Sequence, residues 1–126
     1  MSKVHVWVGI NNDEDFFSYF ELDYSNPDID IDDPNYKVCQ FCKDINEKWY
    51  DEDFIGVYVE DELKDVTLYL EELCVSKETL LEIQKICVEK KLEKVNAMFY
   101  YMDPDIVIND TEKLYNKLTY IGKFNS

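Results

Sequence analysis

Apolar and polar positions alternate from the start of the chain. Over Lys3–Ile10, Val4, Val6, Val8 and Ile10 share one side, and His5, Trp7 and Gly9 share the other. A period of two predicts a strand, and apolar bulk on both sides predicts an interior one. The period then changes. Asn12 is placed to cap a helix whose first turn holds Asp13, Glu14 and Asp15, where the helix dipole favours acids. Phe16, Phe17 and Phe20 would form its apolar stripe, and it is expected to end near Leu22. Asp23–Tyr36 holds two of the three prolines and interrupts the pattern, which predicts an acidic loop over residues 23–36.

Val38, Phe41, Cys42 and Ile45 lie on one helical face, predicting a helix from about Val38 to Glu47. The apolar run Phe54–Val59 predicts a strand in which Gly56 marks a close approach or a bulge. Glu60-Asp61-Glu62 then reads as an exposed turn. Val66–Leu73 predicts a short helix, and Ser76 caps the strongest one, Lys77 to about Leu92. Its ridge is Leu80, Ile83, Cys87 and Lys90, widened by Leu81, Ile86 and Leu92, and lysines collect at its negative end. Val95–Met102 is apolar on both sides and predicts a central strand, ended by Asp103-Pro104-Asp105. Ile106–Asn116 favours no one element. Leu118–Phe124 predicts the last strand. This order describes an α+β fold: a mixed or antiparallel sheet of about four strands covered by about four helices. A length of 126 residues makes it a single domain, 1–126. A domain of that size buries about two-thirds of its unfolded surface and needs neither disulfide nor metal to fold.

Charge narrows the function. Thirteen basic residues against 28 acidic ones leave a net charge of −15, and every basic residue is lysine. Such a field repels nucleic acid and anionic membranes and attracts basic surfaces. Without arginine the chain also lacks the planar fork used for phosphate recognition, so direct nucleic-acid binding is not expected. No apolar run approaches the roughly 20 residues of a membrane span. The first residues pass straight into a strand pattern with no secretory core. The expected compartment is the cytoplasm, with Cys39, Cys42, Cys74 and Cys87 as reduced thiols.

Candidate chemistry is sparse. Cys39-Gln-Phe-Cys42 has zinc-knuckle spacing, but a structural zinc takes four ligands, commonly from two such pairs, and Cys74 and Cys87 are not one. Core packing accounts for all four cysteines. A redox CxxC usually opens a helix just after a strand, and no strand is evident before Cys39, so thioredoxin-like catalysis is not expected. Asp28-x-Asp30-x-Asp32 begins like a calcium loop and then fails: Asp33 stands where glycine is needed and Cys39 where the bidentate Glu is needed. With His5 the only imidazole and three glycines in all, neither a nucleophile–base pair nor a phosphate cradle is indicated. No enzyme and no cofactor is expected. A small cysteine-based metal-binding or regulatory interaction module is the alternative function.

Surface recognition remains. Trp49, Tyr50, Asp51, Glu52 and Asp53 set large flat side chains beside carboxylates, a composition suited to gripping a basic partner. The same stretch also reads as core anchors, Trp49 and Phe54, joined by a solvated acidic loop. A second candidate face combines Asp28, Asp30, Asp32 and Asp33 with Glu60 and Asp61 of the 60–65 segment.

An ordered set of segments carries a family resemblance. It comprises VHVWVGI (Val4–Ile10), an acidic-aromatic stretch ending Tyr19-Phe20-Glu21, CQFCKDI (Cys39–Ile45), WYDEDFIGVYV (Trp49–Val59), VNAMFYY (Val95–Tyr101) and YNKLTYIGKF (Tyr115–Phe124). Together they resemble the bacterial polymorphic-toxin immunity proteins called immunity protein 22, formerly a domain of unknown function. The 23–36 loop lies outside the match. The resemblance implies an α+β cytoplasmic protein that binds and neutralises a toxin domain encoded beside it, with no catalytic or metal residues to carry over. Toxin domains of such systems are often nucleases, hence basic where they meet their substrate, and an acidic inhibitor suits them.

Overall fold

A computed structural model describes residues 3–22, 37–103 and 105–125. Its frame is an antiparallel sheet of five strands: β1 (Lys3–Gly9), β2 (Ile55–Asp65), β3 (Lys94–Tyr101), β4 (Leu114–Tyr115) and β5 (Leu118–Asn125). They are ordered β2-β3-β1-β5-β4. The α+β expectation holds, with every pairing antiparallel, but the described residues form three α-helices where about four were expected, the first one being replaced by a 3-10 turn. The fifth strand is the short β4, drawn from the segment that favoured no element. Asn116 and Lys117 link it to β5, both at positive φ, as a two-residue hairpin with the twist of its strands requires. As expected, β1 and β3 are interior.

Alternation along β1 sorts the core into two layers. Val4, Val6 and Val8 face the helices α2 (Val66–Leu70) and α3 (Lys77–Glu89), and pack with Leu70, Ile83, Cys87, Met98 and Ile121. Ser76 caps α3 as predicted, accepting the Thr79 N–H at 3.2 Å. The ridge is narrower than expected: Ile83 and Cys87 are buried, while Leu81 and Lys90 are exposed. On the opposite face, Trp7 packs with Phe99, Phe41, Tyr115 and Tyr120. That layer is roofed by α1 (Gln40–Asp44), a 3-10 turn at Phe16–Phe20 and irregular chain.

Three expectations need correction. The helix from Asn12 to Leu22 is a loop followed by the single 3-10 turn Phe16–Phe20, and its buried residues are Phe16, Tyr19 and Phe20. Phe17 is 60% exposed. Side-chain hydrogen bonds displace the helix start: Asn11, not Asn12, accepts the Asp13 N–H, at 2.8 Å. The helix around the CxxC spans only Gln40–Asp44, because Asn46 at φ 61° ends it and the Glu47 N–H closes back on the Cys42 carbonyl at 2.8 Å. Glu60-Asp61-Glu62 is not a turn after the strand but part of β2, which continues to Asp65. The register slips there, from Val59 opposite Ala97 to Lys64 opposite Val95, so the acids ride on an outward bulge. Gly56 is the close approach expected of it: a Cβ there would stand 2.2 Å from the Tyr100 ring.

Asn96 pins this bulge. Its Oδ1 accepts the Asn11 N–H at 2.8 Å, and its Nδ2 donates to the carbonyls of Asn11 (2.9 Å) and Glu60 (3.0 Å). Asn11 Nδ2 in turn donates to the Asn116 carbonyl at 2.8 Å, and Asn116 Nδ2 to that of Phe16 at 3.1 Å. Three asparagines thus tie the end of β1, the β2 bulge, the β4–β5 hairpin and the 3-10 turn. Asn96→Ala would leave buried backbone groups unsatisfied. It is expected to lower unfolding stability by about 2–3 kcal/mol in urea titrations followed by circular dichroism. A change within about 0.5 kcal/mol, the range of an ordinary surface substitution, would show that the network carries no such role.

Candidate functional site

The strand pairing builds a site that no single stretch announces. Because β2 runs antiparallel to β3, Ile55 lies opposite Tyr101. The residues just before Ile55 therefore meet those just after Tyr101. Two hydrogen bonds fix the junction: the Met102 N–H donates to the Phe54 carbonyl at 2.9 Å, and the Asp51 N–H to the Tyr101 hydroxyl at 3.0 Å. A short 3-10 turn, Glu52–Phe54, closes the corner, with Asp51 Oδ1 accepting the Asp53 N–H at 3.0 Å.

Between the two segments lies an open cleft of about 650 Å³. Trp49 and Phe54 line it and are 47% and 50% exposed. Glu47, Asp51, Asp103 and Asp105 line it as well, with Lys3 at its margin. Among the described residues none of these four carboxylates is in an ion pair. Elsewhere lysines do pair with acids: Lys113 with Asp44, Lys117 with Asp13, Lys64 with Glu60 and Lys94 with Asp65. Lys3 Nζ donates to Asn125 Oδ1.

The sequence candidates divide. Trp49 and Asp51 meet in the cleft. Glu52 and Asp53 are exposed on the adjoining turn. Tyr50 does not belong to the surface: it is 3% exposed, its ring meets Phe41 and Tyr101 edge-on, and its hydroxyl donates to the Phe20 carbonyl. The reading of Trp49 and Phe54 as core anchors is overturned by their exposure. Glu60 and Asp61 sit on the β2 bulge, apart from this cleft, beside a smaller hollow of about 420 Å³ shared with Asp13, Glu14 and Phe17. Asp28, Asp30, Asp32 and Asp33 lie outside the described residues. Sequence reasoning missed Glu47, Asp103 and Asp105. The available signal was Asp103-Pro104-Asp105 at the end of one strand and the acidic-aromatic turn at the start of another; pairing those strands brings both together.

Both cysteines of the motif are buried, as core packing predicts, but Cys39 opens its helix instead of lying within it. Cys39 is the N-cap of α1, and its Sγ lies 3.1 Å from Cys42 Sγ. A hydrogen bond from Cys42 lowers the Cys39 thiol, while the same contact and burial raise Cys42. Both are buried beside Phe41 in the aromatic layer and neither lines the cleft. Among the described residues there is no cluster of three or more His, Cys, Asp or Glu placed to share a metal ion. Core packing does not account for all four cysteines, since Cys74 is exposed.

His5 is not a base presented to substrate. It is buried, with Nδ1 2.8 Å from the Tyr120 hydroxyl, and is absent from the cleft lining. Burial first, then the Lys123 charge, pushes its pKa down to about 4, against the opposing pull of the Asp103 charge and the Asp103 and Ile106 backbone. Below the unfolded value of 6.5 the unfolded chain binds the proton that the folded one refuses. His5 therefore contributes stability above pH 6.5 that is lost as pH falls toward 4, at most about 3 kcal/mol. His5→Gln should flatten the difference in urea midpoint between pH 7 and pH 4.5. An unchanged slope would mean that His5 is not what titrates.

Compared with known proteins, the chain matches one family profile, described as immunity protein 22, over residues 4–126. No curated protein and no solved structure matches it. Among the described residues no helix is long and apolar enough to cross a membrane.

Proposed function

Because the chain belongs to the immunity protein 22 family, we propose that it is a cytoplasmic immunity protein that binds a cognate bacterial toxin domain and neutralises it stoichiometrically, without turnover. The observation that carries this reading beyond the family is the cleft, in which half-exposed aromatic rings stand among carboxylates that form no ion pair among the described residues. An exposed tryptophan is poorly placed in water and well placed as a buried anchor of an interface. The carboxylates select a basic partner, and a net charge of −15 draws such a partner in from a distance. A nuclease-type toxin domain, basic where it holds its substrate, fits that description.

The reading is tested by co-expression. The C-terminal domain of the toxin encoded beside this gene is induced with and without this protein, and growth is followed. Rescue together with a one-to-one complex on purification is the expected result; no rescue with both proteins soluble would sink the reading. In the purified complex, changing Asp51→Asn, Glu52→Gln and Asp53→Asn together should mainly slow association, by roughly 3–10-fold at low salt, with the gap closing as salt rises. Stopped-flow association that is unaffected by the triple change would remove this turn from the interface.

A further inference from the structure

We propose that the cleft lined by Trp49 and Phe54 receives an arginine side chain of the partner, its guanidinium lying on an exposed ring within reach of the Asp51 and Asp103 carboxylates. This rests on the toxin-binding reading and specifies the contact.

Two features identify a cation with a planar, apolar face. Trp49 and Phe54 make no ring contact with another aromatic residue among the described residues, whereas Trp7, Phe41 and Phe99 stack in the core. Half-exposed and lining the cleft, they are the rings available there for a cation. The carboxylates of Asp51 and Asp103 each spend one oxygen on a local turn: Asp51 Oδ1 accepts the Asp53 N–H, and Asp103 Oδ1 the Asp105 N–H at 2.8 Å. These bonds hold the groups in place without neutralising them. Guanidinium is weakly hydrated, stacks on aromatic faces and presents a fork of donors to carboxylates. A lysine ammonium holds its water and cannot stack as a plane. Glutamine or citrulline would leave the charge unanswered.

The occupant must also come from another kind of chain. This protein contains no arginine, so a second copy cannot supply the guanidinium. Lys3, the one cation lining the cleft among the described residues, is engaged by Asn125.

The test uses the two tryptophans as reporter and control. In ¹⁵N-labelled protein, Trp49 supplies a half-exposed indole signal and Trp7 a fully buried one. Titration with Nα-acetyl-arginine methylamide should shift the Trp49 indole resonance with half-saturation on the order of millimolar and leave Trp7 in place. The lysine analogue should bind at least roughly fivefold more weakly, since it cannot stack as a plane. Asp51→Asn with Asp103→Asn, which keeps both turn acceptors, should abolish the shift. Equal binding of the lysine and arginine probes, or no Trp49 shift at all, overturns the proposal.

With the toxin, Trp49→Ala should weaken the complex by about 10–100-fold, and circular dichroism should show the fold intact because Trp49 is not part of the core. If growth rescue holds while Trp49→Ala and the double asparagine variant both bind within twofold of the parent, the cleft proposal fails and the immunity reading stands. If rescue itself fails, the immunity reading falls, and the arginine titration still decides what the cleft binds.

Discussion

The aromatic layer depends on Trp7. One face of the sheet is roofed by helices, whose backbones satisfy themselves and need only an apolar stripe to dock. The other is roofed by a one-turn helix, a 3-10 turn and irregular chain, which have little backbone bonding of their own. What holds them is a path of ring contacts that starts at the centre of the sheet. Trp7, fully buried, stacks on Phe99 at 4.5 Å and meets Phe41 edge-on at 5.8 Å. Phe41 meets Tyr50 edge-on at 5.2 Å, and Tyr50 meets Tyr101 at 6.1 Å. Each such pair contributes about 0.5–1.5 kcal/mol beyond the area it buries. The path runs through Tyr50, the residue between Trp49 and Asp51. Drawing Tyr50 inward leaves its neighbours at the rim, so the core determines which side chains the cleft displays.

Strong periodicity made some of this legible in the sequence. Val4, Val6 and Val8 alternate with His5 and Trp7 so regularly that both faces of β1 could be assigned, and Ser76 followed by Ile83 and Cys87 was enough for α3. The failures have a common physical cause: long-range contacts overrode local preference. Asn12 is a sound N-cap by residue type, but Asn96 and Asn116 hold Asn11 and redirect the chain. Glu60-Asp61-Glu62 has turn composition, yet β3 supplies a partner that carries β2 past it. Trp49 and Tyr50 cannot be ranked by composition, since both are aromatic and adjacent; only the position of Phe41 and Tyr101 decides which turns inward. The cleft was half visible, because one of its walls is the end of a strand 50 residues away (Tyr101 to Asp51).

Acidic residues in this protein do two kinds of work, and the cleft is where they coincide. A carboxylate that caps a turn accepts a backbone N–H and keeps its charge, so turn chemistry by itself deposits fixed negative charge at corners of the fold. At one such corner a neighbouring lysine offsets it: Lys94 stands 3.9 Å from Asp65, which caps α2. Away from the turns, Lys113 and the Tyr19 hydroxyl answer Asp44 at the end of α1. At the corner built by β2 and β3 no lysine does so among the described residues. The Debye length at physiological salt is about 8 Å, which limits the chain's overall charge to steering the first encounter. At the proposed docking cleft the local arrangement is carboxylates held by their own turns, beside rings that the core has turned outward. Both halves of that arrangement follow from how the chain folds, so a partner docking there, as proposed, would meet groups already held by backbone hydrogen bonds.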